Sequence, residues 1–200
     1  EHPGTNVTGV ASLSTQLTAK RLQLLKDINP KIKAVAMPHT ASEVGDVAAN
    51  KSVEIAKDAA DALDIKLVLL DVRTKEDNAL VAGKINAGEV DGIIVGGDSL
   101  VWGSIDEYIA QAIKKELPLA AFDLNQVKKG ALIGFGPDYQ VAGEQAAKIA
   151  YQILRGKSPA DIPVEIPQKL LLAVNLKTAT AIGLKLPDDL VKSADVLIKD

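Results

Sequence analysis

The sequence predicts an α/β fold: a parallel β-sheet with helices packed on both faces. Three observations point there. First, four short aliphatic runs, at residues 32–38 (IKAVAMP), 65–72 (IKLVLLDV), 90–99 (VDGIIVGGDS) and 117–123 (LPLAAFD), each end in turn residues. Runs of that length, apolar at consecutive positions, suit strands buried on both sides. Second, segments with helical spacing of apolar residues separate the runs. Third, the 200 residues are 47% hydrophobic but only 3% aromatic, so they can fill a packed aliphatic core.

Each element follows from its local pattern. In residues 47–63, Ala48, Ile55, Ala59 and Ala62 fall on one side of a helix. Leu80, Val81 and Ile85 mark a second helix within 75–86. Ile105, Ile109, Ala112 and Ile113 mark a third within 105–115. Alternating strands and helices connect best as right-handed βαβ units, which predicts that the four strands are parallel.

The pattern changes after Asp123. Residues 124–130 (LNQVKKG) read as a polar connection and 131–135 (ALIGF) as another strand. Gly134–Gly136 (GFG) reads as a close-packed turn before a helix with Asp138 as its N-cap. That helix carries the stripe Val141, Ala142, Ala146, Ile149, Ala150 and Ile153, and Gly156 stops it. Residues 157–168 form a proline-rich extended excursion, and 169–175 (KLLLAVN) a strand. Residues 176–184 and 187–198 read as short helices.

Composition narrows the functional classes. The formal charge is −3 with no basic run, so no nucleic-acid surface is expected. There is no cysteine, which removes disulfides, thiolate metal sites and thiol nucleophiles. His2 and His39 have no carboxylates at metal-pair spacing, so neither metal nor cofactor is expected. No apolar stretch reaches transmembrane length. The chain opens on EHPGTNVTGV, without Met and in what reads as a turn; a processed chain is the expectation, with any targeting segment outside it.

In an open parallel sheet, ligands bind beyond the carboxyl ends of the strands. Three such ends carry polar groups: His39, Thr40, Ser42 and Glu43 after the first strand, Asp98 and Ser99 after the third, Asp123 and Asn125 after the fourth. Thr40 and Glu43 have capping-box spacing, and a helix N-terminus there would offer N–H groups to a carboxylate. Asp98 or Asp123 suits an ammonium, and Ser99 a further hydrogen bond. The competing reading is that Asp, Ser and Thr at strand ends are ordinary caps and turns. His39, with no nameable acid partner, reads as an exposed loop residue. Trp102 reads equally as a cleft wall or a rim residue. The glycine pair of VGGDS is a weak phosphate signal. G-x-S-x-G, P-loop and G-x-G-x-x-G motifs are all missing, so no enzyme is expected.

Several segments carry a resemblance nearly end to end: PGTNVTGV, KRLQLLKDINPKIKAVAM, GFGPDYQVAGEQAAKIAYQILRGKSPADIPVE and AVNLKTATAIGLKLPDDLVKSAD. Together they resemble the substrate-binding proteins of ABC importers, in the branch that includes tryptophan- and tyrosine-type binders. The resemblance implies a type I periplasmic-binding-protein-like lobe, and ligand capture in a cleft between two lobes closed by a hinge. Asp138 and Tyr139 match an Asp-Tyr pair of some amino-acid binders. Residues 37–49 and 122–130 depart from the usual pattern, which leaves the ligand open.

The implied organisation has three parts. Residues 1–123 belong to a carboxyl-terminal lobe, residues 124–162 form a crossover whose helix serves the other lobe, and residues 163–200 return. Most of the amino-terminal lobe would then be missing, and self-association of the chain is expected. The implied partners are a small ligand of amino-acid class and a membrane permease. The implied location is extracytoplasmic, with lipoprotein anchoring one route. The alternative is the ligand-sensing domain of a transcriptional regulator, which a helix-turn-helix upstream of Glu1 would reveal. A small α/β enzyme ranks third.

Overall fold

The computed structural model describes residues 3–45 and 47–199. In chain order the elements are α1 (Thr18–Ile28), β1 (Ala34–Thr40), α2 (Val47–Ala62), β2 (Lys66–Val72), α3 (Asp77–Gly83), β3 (Gly92–Ile94), α4 (Ser99–Trp102), α5 (Ile105–Lys114), β4 (Leu119–Ala121), α6 (Leu124–Lys129), β5 (Ile133–Pro137), α7 (Tyr139–Leu154), β6 (Leu170–Asn175), α8 (Leu176–Ala181), α9 (Asp188–Ser193) and β7 (Val196–Ile198). The strands form one seven-stranded sheet in the order β2-β1-β3-β4-β5-β6-β7.

The four predicted strands are mutually parallel, and β5 continues them. β6 then runs antiparallel to β5, with Pro137 opposite Leu170, and β7 runs parallel to β6. β3 and β4 are buried along their whole length, as their unbroken apolar sequences require. Apolar cores lie on both faces. One gathers Leu22 and Leu25 of α1, Val53 and Ala56 of α2, and Ile182 and Leu190 near the C-terminus. The other gathers Val81 of α3, Ile105 and Tyr108 of α5, and Val127 of α6.

Three sequence readings change. Residues 124–129 are helical rather than a polar connection: Asp123 caps the helix, Gln126 and Val127 turn inward, and Gly130 ends it at φ 125°. Residues 196–198 form strand β7 rather than the end of a helix, because Asp195 accepts the Leu172 N–H and steers the chain back to the sheet edge. Gly134 and Gly136 lie within β5 rather than in a turn. The close packing is real: a Cβ at Gly136 would land on the Phe122 carbonyl oxygen, and one at Gly134 on the Asp123 backbone.

α7 stands off from the sheet. Its inner side packs on the chain that follows it. Gln145 donates to Glu165 Oε2 at 2.9 Å and accepts the Gln168 N–H at 2.9 Å, and Ile149 is buried. Residues 8–11 join this unit: Ala11 N–H donates to Glu165 O and Glu165 N–H to Gly9 O, both 2.9 Å. The chain therefore leaves the sheet after Pro137, whereas the crossover was expected to begin at residue 124. It returns at Lys169, whose carbonyl accepts the Asp138 N–H at 3.0 Å.

Candidate functional site

A cleft of about 310 Å³ opens at the carboxyl ends of β3 and β4, with Ala48 of α2 also lining it. Gly96, Gly97, Asp98 and Ser99 come from the β3 end. Trp102 comes from α4, Phe122 from the β4 end and Tyr139 from the start of α7; Ser12 and Ser14 rim the opening. The chain has one Trp, three Tyr and two Phe, and one of each meets here. The Trp102 and Phe122 ring centroids are 5.7 Å apart and those of Phe122 and Tyr139 6.5 Å apart, both tilted. Such spacing is attractive between rings. Trp102 and Tyr139 are 46% and 43% exposed, so both rings keep surface that a ligand can reach.

Of the strand-end polar residues, Asp98 and Ser99 line this cleft, and most of the others are already bonded. Asp98 Oδ1 accepts from Thr40 Oγ1 at 2.8 Å and from the Leu100 and Val101 N–H groups at the start of α4; Oδ2 accepts the Thr40 N–H at 2.6 Å. Thr40 is thus not a helix cap. It ends β1, residues 42–44 form a turn, and α2 begins only at Val47. Glu43 pairs with Arg73 instead. The Gly97 N–H is engaged too, donating to Ser52 Oγ at 3.0 Å, so no phosphate cradle forms.

Asp123 and Asp138 are also caps. Asp123 Oδ1 accepts the Gln126 N–H, and Asp138 Oδ1 accepts the Gln140 and Val141 N–H groups. Burial works against the Asp138 charge, but Lys169 at 3.2 Å and the two N–H groups outweigh it and hold the carboxyl below its ordinary value. Ser99 lines the cleft and is exposed. Ser42 and Asn125 are exposed away from it, Ser42 on a second groove and Asn125 on α6.

His39 is the clearest correction. It is a buried strand residue at 6% exposure, and it has an acid partner directly opposite on β2. Its Nδ1 lies 2.9 Å from Thr40 O. Its Nε2 is 3.1 Å from Asp71 Oδ1, near enough for an ion pair but off-line for a hydrogen bond. His39 faces the second groove, with Asn50, Lys57 and Asp71, rather than the aromatic cleft. His2 lies outside the described residues. Among the described residues no group of three His, Cys, Asp or Glu is placed to hold a metal ion.

The residue that the sequence reading passed over is Arg21. It is fully buried on the inner face of α1, in line with Thr18, Leu25 and Ile28. Its Nε donates to Phe135 O at 3.0 Å and its Nη1 to Ser14 O at 2.9 Å, and its guanidinium carbon sits 5.0 Å from the centre of the Phe122 ring. Burial lowers its pKa to about 10, against the opposing influence of Tyr139 and Asp123. Among the described residues, Arg21 Nη2 and Asp123 Oδ2 are buried without a hydrogen-bond partner. An arginine placed on the apolar stripe of a helix is the sequence signal that marks it.

The chain, with this cleft, matches the family of ABC transporter substrate binding proteins over residues 1–198. It is 29% identical to a tyrosine-binding protein of Clostridioides difficile (strain R20291) over 194 residues, covering 96% of this chain and 54% of that protein. A conserved domain protein from Vibrio cholerae O1 biovar El Tor superposes with a TM-score of 0.89 at 27% identity, covering 98% of this chain and 64% of that one. The ABC domain in complex with L-Trp from Streptococcus pneumoniae superposes at 0.83 with 24% identity, covering 98% and 66%. The chain thus spans about half the length of the curated relative, 54%, and about two thirds of the first structure, 64%. Its lobe is of the type I periplasmic-binding-protein kind. With the family matched along nearly the whole chain, this protein belongs to the ABC transporter substrate-binding proteins.

Proposed function

We propose that this chain supplies one wall of a ligand-binding cleft that captures a small zwitterion of amino-acid class for an ABC importer. The observation that carries the reading is the aromatic floor of Trp102, Phe122 and Tyr139, with the Asp123 carboxylate next to Phe122 in the chain and one of its oxygens buried without a partner. Small-molecule pockets are mostly apolar with a few placed polar groups, and about 300 Å³ lies at the small end of their range. Ser99 and the rim serines offer hydroxyls; Asp123 is the receptor for the ammonium. Asp98 lines the cleft but shares its oxygens with Thr40 and α4, which leaves it less free than Asp123. The tyrosine-binding relative supports an aromatic amino acid as the first ligand to try.

The same reading assigns roles beyond the cleft. α7 and residues 159–168 belong to the second lobe, the three strands of chain between the two units form the hinge, and ligand capture closes it. The partner is a membrane permease, the setting is extracytoplasmic and the chain performs no catalysis. No helix among the described residues is long and apolar enough to cross a membrane. The family match to transport proteins supports this reading over a regulator's sensing domain.

Calorimetry and thermal shift with amino acids, sugars and nucleosides test it. A specific ligand at a hundredfold excess over its dissociation constant stabilises by about 2.7 kcal/mol. Stabilisation by an aromatic amino acid is the expected result. Stabilisation by sugars or nucleosides and by no amino acid overturns the ligand class.

A further inference from the structure

We propose that Arg21 is the positioning residue of the cleft: buried behind the aromatic floor and untouched by ligand, it fixes the Phe122 ring, and through the chain the adjoining Asp123, in the geometry a charged ligand meets. The inference rests on the ligand-capture reading above for its binding arm only.

Three contacts define the role. The Nε–Phe135 bond holds β5 just before the chain leaves the sheet, and the Nη1–Ser14 bond holds the segment that rims the cleft. The guanidinium plane covers the Phe122 ring, whose neighbours on the cleft side are Trp102 and Tyr139. One side chain therefore ties the rim, the exit of the chain from the sheet, and the floor. A planar fork can do this; a lysine ammonium offers no fixed pair of directions and no stacking plane.

Stability alone does not explain the residue. Burying a guanidinium costs desolvation, and an apolar side chain of similar volume fills such a space at no such cost. The surrounding face of α1 is Leu22, Leu25 and Ile28, so an aliphatic residue fits the pattern. What the guanidinium adds is a cover for Phe122, the residue directly before Asp123. Arg21 Nη2 and Asp123 Oδ2 each lack a partner among the described residues, so the carboxylate next to the held ring keeps one oxygen uncommitted for an ammonium.

The test uses Arg21→Met and Arg21→Lys with two readouts. Trp102 is the only tryptophan and sits 5.7 Å from Phe122, so its emission in the ligand-free protein reports the floor. Calorimetry compares L-tyrosine with 3-(4-hydroxyphenyl)propanoate, the same molecule without its amino group. Both variants are expected to shift the Trp102 emission. Arg21→Met is expected to weaken L-tyrosine binding by at least about tenfold and to narrow the preference over the des-amino compound to below about threefold. Arg21→Lys, which keeps a donor but no planar fork, is expected to fall between the parent and Arg21→Met in affinity and preference. A folded Arg21→Met protein with unchanged emission and an unchanged preference overturns the proposal, even if its thermal midpoint falls. If Arg21→Met does not fold, the emission and affinity of Arg21→Lys decide. If the parent binds neither compound, the ligand-capture reading fails by itself and the emission arm still decides the role of Arg21.

Discussion

Asp98, Asp123 and Asp138 each end a strand and begin a helix, and their carboxylates meet backbone N–H groups that have no partner inside the helix. That duty was legible from residue type and position; which of the three kept an oxygen for other work was not. The partners of Asp98 and Arg21 lie 58 and 114 residues away in sequence, and only the fold brings them together. His39 was misplaced for the same reason, since its acid partner is on the neighbouring strand. Replacing Asp138 by Ala is expected to cost about 1 kcal/mol in urea unfolding, whereas Asn keeps the cap. Because the folded-state pKa of Asp138 is depressed, its ionic contribution is present above the ordinary carboxylate value and is lost as pH falls through the folded one. The gap between the parent and Asp138→Asn therefore closes below about pH 4. Burial and the nearby Asp123 push the Tyr139 hydroxyl up to about 12. An alkaline absorbance titration should show a late phenolate step that Tyr139→Phe removes. Since the folded state keeps that proton longer than the unfolded chain, Tyr139 lowers stability as pH rises from about 10 toward 12.

Among the elements, the central strands were readable because both of their faces are buried, so every position is apolar. α6 and β7 were not. α6 has six residues, too few for a periodic stripe, and β7 has three half-buried ones. α7 shows a different limit. Of the stripe seen in the sequence, Val141, Ala142, Ile149 and Ile153 lie on the inner side that residues 159–168 cover, whereas Ala146 and Ala150 are exposed. A second stripe, Ala147, Ala150, Tyr151 and Leu154, lies outside; Tyr151 is 64% and Leu154 86% exposed. Two glycines separate packing from propensity. Gly136→Ala drives a Cβ into the Phe122 carbonyl and is expected to cost about 1–3 kcal/mol or more, with a changed cleft floor. Gly143 is inside α7 with open space around it, so Gly143→Ala is expected to stabilise by about 0.5–1 kcal/mol. Paired denaturant curves check both; similar signs for the two substitutions contradict the packing account.

At the scale of the whole molecule, the sheet with its two helical layers is complete in itself, while α7 has one side packed and one side open. The outer stripe has the i, i+3, i+4, i+7 spacing by which helices pair. Val164 and Ile166, 41% and 68% exposed, extend the apolar surface beyond the helix. Fully burying a large apolar side chain is worth about 1.5–3 kcal/mol, so Tyr151, Leu154 and Ile166 together offer several kcal/mol before the entropy of association is subtracted. That balance favours a weak, reversible dimer, formed when the outer stripe meets its own copy across a two-fold axis. Exchange of α7 between copies is not required, because its inner side is already covered by the chain's own residues 159–168. Sedimentation of the purified chain is expected to show a monomer–dimer equilibrium in the micromolar range. Leu154→Lys, a surface change that leaves the inner side and the cleft untouched, is expected to shift it to monomer without lowering the thermal midpoint. A parent that sediments as a monomer at every concentration shows that the open stripe is too small to hold a second copy. A dimer that survives Leu154→Lys places the contact elsewhere on the surface.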